Sequence, residues 1–85
     1  MKKAKEKPIF RNPETVITRN GKKVTISTKY VPYPMGRGWE TMVFVTNRNG
    51  VKYDKVLDEG HYGESEYAAK NGHTKMCQKW LKGVA

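Results

Sequence analysis

His73 and Cys77 stand four residues apart, and on a helix that spacing places an imidazole and a thiol on one face. A neutral imidazole and a thiolate so arranged could clamp one side of a zinc ion. A structural zinc site needs four ligands, and only His61, Asp58 and Glu59 lie nearby in sequence, with no Cys-x-x-Cys pair anywhere. As a nucleophile and its base, the pair lacks any recognisable orienting residue or oxyanion site. The expectation is therefore a chain that is not an enzyme, with no metal and no cofactor. His73 reads as a buried helix residue whose ring nitrogen satisfies a backbone group or a strand side chain.

Glu40 follows Trp39 in the most strand-like segment of the chain. Buried there, its carboxylate would need a donor such as Arg37 or His73, and a Glu40–His73 pair would bridge sheet and helix. Such a pair would be a structural lock or the polar floor of a ligand site; the alternative is a surface carboxylate. Tyr30, Tyr33, Arg37 and Trp39 surround a stretch rich in proline and glycine, combining rings with a guanidinium, which is chemistry suited to unpaired bases or nucleotides. Tyr30 and Trp39 read as packing residues. Tyr33 and Arg37, set between prolines and glycines, read as contacts, with Lys22, Lys23 and Lys29 supplying positive charge nearby in sequence. Gly36-Arg37-Gly38 is no phosphate loop, since the strand-loop-helix setting and a following lysine are both missing.

These side chains must be held by a small scaffold. A chain of 85 residues and 9.8 kDa, 36% apolar, allows one domain and argues against separate cofactor and substrate modules. No apolar run reaches the ~20 residues of a bilayer span, and Met1 to Lys7 lack a signal-peptide core, so the chain reads as soluble and unexported. With Cys77 alone, no internal disulfide can form and packing must hold the fold. Residues 1–13 are lysine-rich and without periodicity, and read as a flexible basic arm. Residues 14–85 read as a single α+β domain.

Within that domain, Thr15–Arg19 and Lys22–Tyr30 flank Asn20-Gly21, a pair suited to a type I′ hairpin turn. Val24, Ile26, Thr28 and Tyr30 alternate with Lys23, Thr25, Ser27 and Lys29, so one face is expected to be buried and the other wet. Val31–Gly38 reads as a loop, Trp39–Thr46 as a central strand, Asn47–Gly50 as a second turn and Val51–Val56 as a return strand. Asp58–Gly63 reads as a connection. Ser65 caps a helix running to Leu81, with Gly83 as its stop, Ala69, His73, Met76, Cys77 and Trp80 on one side, and Lys75, Lys79 and Lys82 on the solvated side. Gly72 beside the apolar sector predicts a close approach of helix to strand. The fold class is a small antiparallel sheet of three to four strands packed against one C-terminal helix.

The formal net charge is +9, and residues 1–23 hold eight of the 17 basic residues against two acids, whereas residues 58–85 balance four against four. A positive front half of this kind attracts polyanions, though it serves solubility equally well.

Glu40-Thr41-Met42-Val43-Phe44, preceded by a β segment with Ser27-Thr28 and followed by a short capped helix carrying Ala69-x-x-Gly72-His73, resembles a family of small phage and prophage proteins over roughly residues 24–80. The longer lysine-rich N-terminus and the basic hairpin depart from that pattern. The resemblance implies a bacteriophage origin and a place in the host bacterial cytoplasm, and names no reaction. Two functional classes follow. One is an accessory protein binding nucleic acid or a nucleotide through the hairpin and aromatic loop; the other is an inhibitor of a host defence, replication or transcription protein. The open edge of so small a sheet also invites a homodimer.

Overall fold

The computed structural model describes residues 12–82. Among these residues four strands, β1 (Glu14–Ile17), β2 (Lys23–Val31), β3 (Gly38–Asn47) and β4 (Gly50–Gly63), form one antiparallel sheet in the order β1-β2-β3-β4, followed by the helix α1 (Glu66–Lys82). No helix among the described residues is long and apolar enough to cross a membrane. Most of the arm expected over residues 1–13 lies outside the described residues, as does Gly83. Asn12, assigned to that arm, is tied to the sheet. Pro13 has no N–H, and the Asn12 side chain substitutes for backbone by donating to the Thr28 carbonyl and accepting the Thr28 N–H at 2.8 Å.

The first hairpin closes differently from the expected type I′ turn. Both central residues of a type I′ turn need positive φ, yet only Gly21 (φ +86°) has it. The Gly21 N–H donates to the Thr18 carbonyl at 2.9 Å and the Thr18 N–H to the Lys22 carbonyl at 2.7 Å, which is a three-residue loop whose last member is a left-handed glycine. The Thr18 hydroxyl, donating to Asn20 Oδ1 at 2.7 Å and accepting the Lys22 N–H at 3.1 Å, fixes the turn from inside.

Alternation along the strands separates two faces. Val16, Val24, Ile26 and Val43 point to one side and meet Met76 of α1 in the core, with Cys77 and Trp80 partly buried against it. Ser65 opens the helix by accepting the Ala68 N–H at 3.0 Å, and Glu66 sits in the first turn near the positive end of the helix dipole. Beside the apolar cluster lies a buried polar contact: Thr28 Oγ1 is hydrogen-bonded to Thr41 Oγ1, its register partner, and to His73 Nδ1 at 2.6 Å. Burial of the thiol raises the Cys77 pKa to about 11, and the Glu14 carboxylate adds to the rise, so thiolate is scarce at neutral pH.

β4 departs most from expectation. It continues through Asp58–Gly63, read from sequence as a connection, and is interrupted by register shifts. Val45 pairs with Lys52 and Phe44 with Val56, so Tyr53, Asp54 and Lys55 are extra residues without partners on β3. Beyond the shift, Asp58 faces the helix side. It accepts hydrogen bonds from Lys79 Nζ at 2.8 Å and Trp80 Nε1 at 3.2 Å, joining β4 to the last turns of α1. Burial pushes the Asp58 pKa up, but these donors and the Glu59 N–H outweigh it, and the carboxyl titrates below its ordinary range. A depressed pKa stabilises the fold above the unfolded-state value of about 4 and loses that contribution as pH falls through the folded value. Denaturant midpoints measured from neutral pH to pH 3 should therefore converge for wild type and Asp58→Asn at the acid end, with the wild type more stable at neutral pH.

Gly72 does permit a close approach. The ring of Tyr62 lies between Gly60 of its own strand and Gly72 of α1, and a Cβ at either glycine would overlap it. Alanine at an unobstructed helix position gains about 1 kcal/mol over glycine. Gly72→Ala should instead destabilise the protein, and should become stabilising by about 1 kcal/mol in a Tyr62→Ala background. Urea unfolding of the four proteins of this cycle checks the reversal of sign.

Candidate functional site

The helix covers one side of the sheet, and among the described residues no helix lies on the opposite side, the open face. Four residues of β2, Lys23, Thr25, Ser27 and Lys29, line that open side in sequence alternation, and their register partners Thr46, Phe44, Met42 and Glu40 line it from β3. Hydroxyl groups knit the Lys23 end: Thr25 Oγ1 contacts Thr46 Oγ1 at 2.6 Å and Thr15 Oγ1 at 3.3 Å.

In the middle of this face Phe44 is only 8% exposed, although α1 lies on the other side of the sheet. The extra residues of β4 provide the cover, since the Tyr53 ring stands edge-to-face on Phe44 with centroids 5.0 Å apart, while Tyr53 itself is 67% exposed. Beside the rings is a cavity of about 250 Å³ lined by Ser27, Lys29, Glu40, Met42, Phe44 and Tyr53. Glu40 faces Lys29 across the β2–β3 register, and its Oε1 lies 3.7 Å from His61 Nδ1, whose Nε2 is in turn 3.3 Å from Glu59 Oε1.

The residues singled out from sequence are thereby redistributed. Lys23 and Lys29 share the open face, about 20 Å apart along β2 at 3.3 Å per residue. Lys22 sits in the hairpin loop beyond one end of β2, whereas Tyr33 and the exposed Arg37 occupy the β2–β3 loop beyond the other. The hairpin lysines and the aromatic loop do not form one cluster. Tyr33 is 86% exposed, and the Gly36 N–H closes its loop on the Pro32 carbonyl at 3.0 Å. Tyr30 and Trp39 pack on each other edge-to-face at 5.5 Å, with the Tyr30 hydroxyl donating to Glu64 at 2.8 Å. That bond, burial and the Glu64 charge, in this order, raise the Tyr30 pKa.

The expected Glu40–His73 pair is not the one formed. Adjacent strand residues face opposite sides, so Thr41 points at His73 through Thr28 while Glu40 points away to the open face and meets His61. Among the described residues no three histidine, cysteine, aspartate or glutamate side chains are grouped to hold a metal ion.

Phe44 and Tyr53 are the site residues that sequence reasoning passed over. The signal for Tyr53 was present in the imperfect alternation of Val51–Val56, which marks the inserted residues. A second, larger groove of about 510 Å³ runs between β4 and α1 past Tyr62, Tyr67, Gly72 and Lys75. It is the weaker candidate, because Lys79 on its wall is engaged by Asp58 and Tyr62 fills the glycine slot beneath it. Comparison with protein-family models, with curated proteins and with solved structures gives no match for this chain.

Proposed function

We propose that this is a nucleic-acid-binding protein whose open sheet face receives a single strand. The observation that carries the reading is the exposed Tyr53 ring, packed over the buried Phe44 on the sheet face opposite α1, with Lys23 and Lys29 on the same face of β2. The exposed Tyr53 ring offers a stacking surface to an unpaired base, and lysines on the same face neutralise phosphates. A net charge of +9 adds long-range attraction for a polyanion. Duplex DNA keeps its bases stacked on one another and offers such a face only its phosphates. Tyr33 and Arg37, past the Lys29 end, would extend the contact rather than form its centre.

Fluorescence anisotropy with labelled single-stranded and duplex probes of equal length, at several salt concentrations, tests the reading. The expected result is tighter binding of the single strand, weakening as salt rises. Failure of the folded protein to bind either probe at low salt would contradict it, and would direct attention to an acidic protein surface as partner, the chemistry of a host-protein inhibitor.

A further inference from the structure

We infer that the cavity beside Phe44 and Tyr53 takes one unpaired guanine of the bound strand, a refinement that rests on the reading of this face as a single-strand interface. Glu40 lines the cavity of about 250 Å³, its side chain is only 16% exposed, and its Oε1 lies toward His61. An ionised carboxylate only accepts hydrogen bonds, through two oxygens set side by side. The Watson–Crick edge of guanine offers two adjacent donors, N1–H and N2–H, that match them. Adenine and cytosine each place a ring acceptor beside their one amino donor, and thymine flanks a lone N–H with two carbonyls. Those bases would turn acceptor lone pairs toward the carboxylate.

The rest of the lining suits the same occupant. Tyr53, 67% exposed, provides ring surface for the base with Phe44 packed behind it, and Lys29, directly across the register from Glu40, lines the same cavity and can pair with the phosphate of that nucleotide. The lysine also opposes a cationic occupant, which a carboxylate beside two aromatic rings would otherwise attract. His61, 3.7 Å from Glu40 and 57% exposed, borders the carboxylate from β4.

The test uses the full chain and labelled oligothymidine strands that are identical except for one central guanine, adenine or cytosine, with the all-thymine strand as reference. The guanine strand should bind about tenfold more tightly than the other three, the scale of one two-bond base contact. Glu40→Gln presents one acceptor and one donor, and should bring the ratio of guanine-strand to all-thymine-strand affinity, measured within the same variant, to about one, whatever the loss of the carboxylate charge does to all strands alike. Equal binding of all four strands by the wild-type protein would overturn the guanine assignment and leave the single-strand interface standing. A guanine preference that survives in folded Glu40→Gln would overturn the role of Glu40. Absence of binding to every strand would overturn both the interface and the base assignment.

Discussion

Replacing Ile26 by alanine is expected to lower stability by about 2–5 kcal/mol, the range for removing a buried isoleucine side chain and leaving a cavity. Ile26 is fully buried at the centre of β2, with Val43 opposite it on β3 and Met76 of α1 in the same cluster. A chain of 85 residues has about 4–13 kcal/mol of total stability at the usual 0.05–0.15 kcal/mol per residue. The substitution therefore removes a large part of it. Urea unfolding should show a lower midpoint with an unchanged slope, since the surface exposed on unfolding is nearly the same. Trp80, placed by the sequence on the apolar side of the helix, is only partly buried, and its indole N–H reaches the Asp58 carboxylate. Trp80→Ala should then cost less than the 3–5 kcal/mol of a fully buried tryptophan. A Trp80→Ala loss exceeding that of Ile26→Ala would show that the helix, not the centre of β2, holds the core together.

Removing the Tyr53 ring should weaken single-strand binding by about 5- to 150-fold, equivalent to the 1–3 kcal/mol attributed to stacking one base on an aromatic side chain. Duplex binding should change little, and so should the dependence on salt, because no phosphate contact is removed. Lys23→Glu combined with Lys29→Glu should act in the opposite manner, weakening single strand and duplex alike and flattening the salt dependence as phosphate contacts are lost. Tyr33→Ala should have a smaller effect than Tyr53→Ala, because Tyr33 lies in the loop beyond the end of β2 and outside the cavity. Anisotropy titrations at three salt concentrations separate the two kinds of loss. Equal sensitivity of duplex and single strand to Tyr53→Ala would show that the ring shapes the sheet and makes no stacking contact.

Local periodicity made most of the scaffold legible. β-branched alternation placed Val24, Ile26 and Thr28 together on β2, the apolar sector of α1 brought Ala69, His73 and Met76 to buried positions, and Gly72 signalled the contact now filled by Tyr62. What periodicity cannot carry is a change of register. The inserted residues Tyr53–Lys55 break the alternation of β4, so the strand reads as ending early and Asp58–Gly63 as a connection. The same break conceals that Tyr53 covers Phe44 and that His61 lies across from Glu40. Pairing Glu40 with His73 failed for a related reason: the two sides of a strand differ by one residue, and only Thr41 faces the helix side. Residues adjacent in charge or aromatic character along the chain, such as Lys22 and Tyr33, prove to lie beyond opposite ends of β2.

Methionine methyl resonances offer the most direct test of the central claim, since Met42 lies on the open face beside Phe44 and Glu40, Met76 lies in the core beneath the helix and Met35 lies in the β2–β3 loop. In a carbon–proton correlation spectrum of the methyl-labelled protein, titration with a short single strand should shift and broaden Met42 strongly and Met35 less. Met76 should stay in place. A strand that binds and shifts Met76 while leaving Met42 untouched would contradict the open-face interface and assign the contact to the helix side.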